Sequence, residues 1–472
     1  MQPRSRAPQP ITWTQTLGAR IAVVLTLAVV YIGAGKLGLL LAFLHPSSTP
    51  VWAPTGIAVA AVLMFGYRVW PGIFLGAFLV NVTTLGTAWT SLGIATGNTL
   101  EALVGAYLVL RFANSTKAFE TAGNTFKFAI YSGLISTMIA ATIGVTTLSL
   151  AGFAPWAEYR DVWLTWWLGD AVGAMLVAPL IILWVADFHI RWNWAELGEF
   201  AAAIASLAVV SQFVFGPYAF AGARNYPLEY LCPPFLIWIA FRFSQREAIT
   251  AAVVLCGSAI WGTLHGYGPF AVGTRNESLL LLQSFMGVVG IMSLALAALS
   301  VERRRMEQDA IVLATTDSLT GLANYRRLVD VLDLEISRSE RTDREFALLL
   351  FDLDGLKVVN DHHGHPVGNR AICRLAEILL VHCRNIDTAA RYGGDEFALV
   401  LPESTLDIAR SVAVRICERV ASNKEYPPLS VSVGVAMFPE NGKTSESLLT
   451  AADNALYEMK RRTETGASRI PS

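Results

Sequence analysis

The sequence predicts two structural classes in one chain: an all-α, polytopic transmembrane bundle, then a soluble α/β domain with a mainly antiparallel sheet. Three observations carry this. Charge is unevenly spread, with 25 Asp, Glu, Lys and Arg in residues 1–300 and 48 in the remaining 172. Apolar stretches of membrane-crossing character recur through the first part and stop near residue 300. Beyond residue 317, short apolar runs alternate with amphipathic stretches of helical length.

Residues 1–19 form a polar, Pro-rich tail with Arg4 and Arg6. The apolar run that follows is too long for a cleavable signal and is succeeded by many more, so it is a first span. Candidate spans lie at about 20–44, 51–66, 70–88, 91–110, 127–150, 162–186, 199–216, 228–243, 248–265 and 278–300. The shorter ones are marginal against the roughly 20 residues a spanning helix needs, so the expectation is eight to ten crossings within residues 20–300. With the N-terminus in the cytoplasm, the inside connections carry Arg20, Arg68, Arg111, Lys117, Lys127, Arg191, Arg242, Arg246 and Arg303 to Arg305. The outside connections carry only Arg160, Arg224 and Arg275. This bias places the C-terminal half in the cytoplasm, at an inner membrane. Trp13, Trp163, Trp166, Trp167, Trp192 and Trp194 are candidate interfacial anchors.

Lys36, Glu101 and Asp170 fall within or at the edges of spans. Ionisable groups at that depth are costly, and they read either as sensor residues or as an ion pair holding helices together. No inverted repeat favours a transporter. The net charge of −1 combines a +3 front with a −4 back, and no long basic block points to nucleic acid. The five cysteines show no CxxC spacing and read as reduced core residues.

Residues 301–316 are polar and uninterrupted by Gly or Pro, a helical linker continuous with the last span. Leu299, Met306, Ala310 and Leu313 fall in a 3–4 spacing over only two heptads. The soluble domain, 317–466, opens with Asp317-Ser-Leu-Thr-Gly-Leu-Ala-Asn324 and a helix to about Arg341. Phe346–Phe351 is a buried strand ending in Asp352-Leu353-Asp354. Helices over about 366–383, 405–421 and 445–462 and a strand over Leu429–Met437 follow. Between them, Arg391-Tyr-Gly393-Gly394-Asp395-Glu396-Phe397 marks a hairpin tip before the strand 397–401, with glycines for positive φ or close backbone approach. Two adjacent carboxylates at such a tip suit a hard cation held against phosphate.

These motifs, with Gly355-Leu-Lys357-Val-Val-Asn360-Asp361 and Gly364-His365-Pro-Val-Gly368-Asn369, resemble those of the GGDEF family of diguanylate cyclases. The stretches Val51–Ala58, Trp70–Ala77 and Trp167–Gly173 resemble the membrane-associated sensor (MASE) domain of bacterial signalling proteins. The resemblance implies a nucleotidyl-cyclase-like fold and a homodimer that condenses two GTP into cyclic di-GMP and two pyrophosphates. It implies Mg²⁺ (or Mn²⁺) on Asp352, the Leu353 carbonyl, Asp395 and Glu396, with Asp395 and Glu396 catalytic. Lys357 and Lys460 would balance phosphate, with Gly393 and Gly394 beside it, and Asn360 and Asn369 would read guanine. Arg384 and Asp387 match the family's inhibitory site for cyclic di-GMP. Two departures stand out: Asn369 replaces the family's Asp, and Glu464 replaces a phosphate-binding Arg. They favour the alternative of a silent receptor for cyclic di-GMP or GTP. His362, His363 and His365 read as residues of one loop, without metal-ligand spacing.

Overall fold

The structure, a computed structural model, describes residues 17–40, 49–84, 86–114, 118–186, 193–218, 227–423 and 425–464, with side chains to Arg461. Arg4, Arg6, Trp13, Lys117, Arg191, Trp192, Arg224 and the side chains of Arg462 and Glu464 lie outside the described set. The chain divides into two compact units, Met1–Arg304 and Arg305–Ser472.

The first unit is helical: α1 Leu17–Leu40, α2 Ala53–Phe65, α3 Trp70–Val82, α4 Ala88–Phe112, α5 Ala122–Phe128, α6 Thr137–Leu150, α7 Tyr159–Ala186, α8 Trp194–Phe215, α9 Pro233–Arg242, α10 Gln245–Leu264 and α11 Arg275–Thr315. A π-helical turn, Ala129–Ile135, joins α5 to α6. Among the described residues, seven segments are long and apolar enough to cross a membrane: α1, α4, Ala122–Leu150, Trp156–Ala186, α8, α10 and α11. The stretches 51–66, 70–88 and 228–243, expected as further crossings, contain helices of only 13, 13 and 10 residues. At 1.5 Å per residue these reach about 15–20 Å, short of a hydrocarbon core of about 30 Å. Gly66, at φ 80°, breaks the chain between α2 and α3, and Pro54 and Pro71 start them.

Close helix contact explains the small residues of the three MASE-like stretches. A Cβ on Gly56 would run into the Gly173 carbonyl, and one on Gly173 into the Trp52 carbonyl, so α2 lies backbone-to-backbone on α7. The Trp52 N–H donates to the Gly169 carbonyl at 3.0 Å. On the other side α3 runs parallel to α1, Gly72 against Val24 and Leu27, Gly76 against Tyr31, and Val80 against Gly35. The tryptophans expected at the interface are partly enlisted in this packing. Trp163 Nε1 donates to Thr142 Oγ1 and Trp167 Nε1 to the Leu134 carbonyl, while Trp194 is 88% exposed.

The last span and the linker form one uninterrupted helix of 41 residues, α11. In the linker stretch Met306, Ile311, Val312 and Leu313 are exposed.

The second unit comprises α12 Tyr325–Thr342, β1 Phe346–Leu353, α13 Leu356–His363, α14 His365–His382, β2 Thr388–Arg391, β3 Glu396–Leu401, α15 Leu406–Ala421, β4 Val431–Phe438 and α16 Ser445–Glu464. The four strands are antiparallel in the order β2-β3-β1-β4. Central β1 is apolar on both faces because both are covered. Leu348 and Leu350 meet Leu328 and Leu332 of α12 and Leu448 and Leu456 of α16. Leu349 and Phe351 meet Leu375 and Leu379 of α14 and Ile416 of α15. Strand β2 and helix α13 were not expected. The first is only four residues long, and the second places His362 and His363 in a helical last turn, with His365 opening α14.

Candidate active site

The register of β1 against β3 sets Asp352 directly across from Glu396. The chain continues past this pair with the Leu353 N–H donating to the Asp395 carbonyl at 3.0 Å, so Asp352, Leu353, Asp395 and Glu396 gather at one end of the sheet. Lys460, from α16, places Nζ 2.8 Å from Asp352 Oδ1. Like charges directly opposed across strands repel. Partial burial, then the charges of Asp395, Asp352 and Asp453, hold the Glu396 carboxyl above its usual range, while Lys460 pulls the other way. Burial likewise raises Asp352, against Lys460, with Asp395 and Asp354 adding to the rise. The second carboxylate of Asp352-Leu353-Asp354 has a different job. Asp354 accepts from Ser430 Oγ at 2.8 Å and Ser432 Oγ at 2.9 Å, tying the strand end to β4.

This donor set fits a hard divalent cation. It is all oxygen, and its mutual repulsion is what a +2 charge would relieve. Among the described residues no group of three His, Cys, Asp or Glu forms a ready-made metal cage. A Mg²⁺-type ion, which takes few protein ligands and the rest from phosphate and water, does not need one. His363, by contrast, is engaged with the Tyr426 hydroxyl at 2.8 Å.

The hairpin glycines act through space, since neither has positive φ. A Cβ on Gly393 would overlap the Glu396 carboxylate, whereas one on Gly394 would meet open space. Gly393 thus lets Glu396 fold back over the turn, and exposed Gly394 leaves the backbone approachable. Two residues that sequence reasoning left without a role hold this turn. Arg391 Nη1 donates to both Asp317 carboxylate oxygens, at 3.0 and 3.1 Å, and Nη2 donates to the Gly394 carbonyl at 2.8 Å. Asp317 also accepts from the Thr320 N–H and hydroxyl. Partial burial works to raise its carboxyl, but the Thr320 bonds and the Arg391 guanidinium outweigh it and hold Asp317 below the usual range. Both residues stood inside the recognised motifs, which was the available signal.

Asn360 sits on α13 with its Oδ1 buried and without a hydrogen-bond partner. Its neighbour across the turn is Gly368 of α14, where a methyl group would overlap that same oxygen. Asn369, next in sequence, is exposed, as is Lys357 in the first turn of α13. An orphaned, buried acceptor beside an exposed amide is suited to a planar ligand carrying N–H donors.

Arg384 and Asp387 close a turn on themselves: the Arg384 N–H donates to Asp387 Oδ2 at 2.7 Å, and the Asp387 N–H to the Arg384 carbonyl at 3.1 Å. Together with His382, Ser411 and Arg415 they line a cleft of about 400 Å³. Burial raises the Asp387 carboxyl, with Arg384 and Arg415 opposing, and its Oδ1 is left without a partner. Arg415 was missed because it lies on α15 in no local motif.

In the membrane unit the three charges separate. Lys36 Nζ donates to the carbonyls of Val80 and Thr83, at 3.3 and 3.0 Å, and to Thr84 Oγ1 at 2.7 Å, closing the C-terminal end of α3. Glu101 and Asp170 are buried, and the single hydroxyl of Thr55 lies 3.4 Å from one carboxylate and 3.3 Å from the other. The ion-pair reading is therefore not met: the carboxyl groups face each other, and Lys36 is bound elsewhere.

Each unit matches a known family. The profile of the MASE1 family matches residues 22–304, and that of the diguanylate cyclase GGDEF domain matches residues 314–465. The bifunctional diguanylate cyclase/cyclic di-GMP phosphodiesterase MucR of Pseudomonas aeruginosa is 28% identical over 305 residues, which is 64% of this chain and 41% of MucR. The response regulator PleD of Caulobacter vibrioides is 35% identical over 158 residues, 32% of this chain and 35% of PleD. The chain thus spans less than half the length of these curated relatives. Among solved structures, the coiled coil and GGDEF domain of DgcB from Caulobacter crescentus, in complex with c-di-GMP, is 31% identical, covering 35% of this chain and 90% of that one with a TM-score of 0.32. The chain belongs to the MASE1 family, with a membrane domain of that type leading into a GGDEF domain of the diguanylate cyclase class.

Proposed function

We propose that the chain is a membrane-bound diguanylate cyclase that joins two GTP molecules into cyclic di-GMP and is regulated by its membrane domain. The observation that carries this is the meeting of Asp352, Asp395, Glu396 and Lys460 at the sheet end. On this reading Asp352, the Leu353 carbonyl, Asp395 and Glu396 hold a divalent cation, which when bound neutralises phosphate charge. Lys460 and Lys357 balance the remaining phosphate charge. Asn360 accepts from guanine through its orphaned Oδ1, with Asn369 beside it. Glu396, with its raised carboxyl, takes the proton from the attacking 3′-hydroxyl. Each 3′-oxygen forms a bond to the α-phosphorus of the other GTP, the bond to pyrophosphate breaks, and two pyrophosphates leave.

One domain holds one GTP, so the reaction needs two copies facing each other. The exposed Met306, Ile311, Val312 and Leu313 of the linker favour such pairing. Product returning to the Arg384–Asp387–Arg415 cleft inhibits: the two arginines suit guanine and phosphate, and Asp387 Oδ1 awaits a donor. Helix α9 returns the chain to the side from which α8 starts, because Arg242 at its end pairs with Glu199 near the start of α8 at 2.9 Å, so the number of passages is even. With that, the lysine and arginine bias of the connections supports an N-terminus and a GGDEF domain in the cytoplasm of a bacterial cell, at its inner membrane.

The test is to incubate the full chain, reconstituted in lipid nanodiscs, with GTP and Mg²⁺ and to analyse the products. Cyclic di-GMP and pyrophosphate in a 1:2 ratio are expected. Tight cyclic di-GMP or GTP binding with no turnover would replace this reading by the silent receptor, which Asn369 favours.

A further inference from the structure

The membrane unit contains a cavity of about 130 Å³, bordered by Trp52, Asn81, Asn98, Thr165, Trp166 and Asp170. Its walls come from one end of the bundle. Leu39 is at the end of α1, Thr84 and Gly86 follow α3, and Asn98 lies in the first half of α4. Phe153 follows α6, and Thr165 to Asp170 are in the first half of α7. With the N-terminus in the cytoplasm this is the extracytoplasmic end.

Two side chains bordering the cavity are more than nine-tenths buried and have a polar atom with no hydrogen-bond partner, Asp170 Oδ2 and Asn98 Oδ1. Asn98 is fixed from behind by its Nδ2 donating to the Tyr31 hydroxyl at 3.0 Å, so the free oxygen is the atom left over. Both orphan atoms are acceptors. Behind Asp170, across Thr55, stands Glu101, whose Oε1 is also unpartnered. Among the described residues no Lys or Arg pairs with either carboxyl group, and Lys36 is occupied by the end of α3. The remaining lining combines aromatic and aliphatic side chains, among them Trp52, Trp166, Ile94 and Leu148, with the neutral polar Thr49, Asn81, Thr84 and Thr165.

We propose that this cavity is the receptor site of the membrane domain and takes a small primary-amine cation from outside the cell. This rests on the reading of residues 22–304 as the sensor. An alkylammonium head carries three N–H donors and a positive charge. It meets the orphaned oxygens of Asp170 and Asn98 and compensates the buried carboxyl groups, whose isolation is otherwise costly. Trp52, Trp166, Ile94 and Leu148 give the alkyl body an apolar wall. A cavity of this size holds a body of about six heavy atoms, as a comparable protein cavity holds benzene. A bulkier lipid headgroup does not fit, and an anion would meet Asp170 and, behind it, Glu101 with no Lys or Arg among the described residues to offset them.

The experiment is a titration of the full chain in nanodiscs with n-pentylammonium chloride, corrected by empty nanodiscs, and with 1-pentanol as the neutral isostere. Saturable binding of the ammonium is expected, at least tenfold tighter than that of the alcohol. Asp170→Asn should weaken it at least tenfold. Ile94→Trp, which fills the cavity and leaves both carboxyl groups in place, should do the same. Unchanged cyclic di-GMP binding by the cytoplasmic domain and an unchanged Tm certify that each variant is folded. No saturable binding, equal binding of the alcohol, or binding that survives both variants overturns the site. Cyclic di-GMP output is read from the same preparations. Binding without any change in output leaves an amine site but removes its receptor role, so failure of the sensor reading and failure of the site are told apart.

Discussion

Gly368→Ala separates recognition of the base from stability of the fold. Gly368 lies in the first turns of α14, where alanine is the better helix former by about 0.5–1 kcal/mol. Yet the new methyl group would occupy the place of Asn360 Oδ1, the buried acceptor left without a partner. What has to move is the amide end of a side chain, not backbone, so the fold gives way cheaply and the base-reading atom is displaced. Loss of that hydrogen bond with the ligand's donor left buried costs about 1–3 kcal/mol. The KM for GTP should therefore rise roughly five- to 150-fold. Initial rates on the full chain in nanodiscs, alongside thermal melts, measure both effects. The Tm should stay level or rise. Asn360→Ala should give a similar KM, and the double variant should be no worse than Asn360→Ala alone, because both changes remove one contact. A KM for Gly368→Ala within twofold of the wild type would refute the assignment of Asn360 to guanine.

The other predictions touch different parts of the site. Asp395→Asn should bring turnover below a tenth of wild type (a loss of more than about 1.4 kcal/mol in transition-state stabilisation) with an unchanged melt; activity above that removes Asp395 from the metal set. Arg384→Ala and Arg415→Ala should each relieve product inhibition without lowering the initial rate, read from progress curves with added cyclic di-GMP. Asn369→Asp should lower the KM for GTP about tenfold or more and sharpen discrimination against ATP, because a carboxylate accepts from two guanine donors where an amide offers one acceptor. Asp317 has a lowered folded pKa, so its contribution to stability is present above about pH 4 and is lost as pH falls through that lowered value. Asp317→Asn should accordingly melt at a lower temperature near neutral pH yet lose less between about pH 5 and pH 3; parallel melting curves would show that the Arg391 contact contributes nothing.

The sequence alone determined what local physics determines. Apolar runs without charge can be satisfied only in lipid or in a core, so the change of class near residue 300 and the central strand 346–351 were legible. The uninterrupted helix through residues 301–315 was legible too, from the absence of Gly and Pro. The site residues could be named because their motifs resemble a family, but which of them meet was not written in the spacing. Asp352 and Glu396 are neighbours through an antiparallel register, and alternation along a strand gives the face of a residue without its partner. The same gap hid the Arg391–Asp317 brace and the place of Arg415, which depend on contacts far apart in the chain. In the membrane half, hydropathy locates a charge along the bilayer normal but is silent on the rotation of its helix. Three ionisable residues that looked equivalent therefore parted company, Lys36 to the end of a short helix and Glu101 and Asp170 to a shared hydroxyl. Helix length was decided at the same level. Pro54 and Gly66 bound α2, Pro71 starts α3 and Thr83 closes it, leaving 13 residues in each, and packing of bare glycine backbones on α1 and α7 keeps these short helices in the bundle.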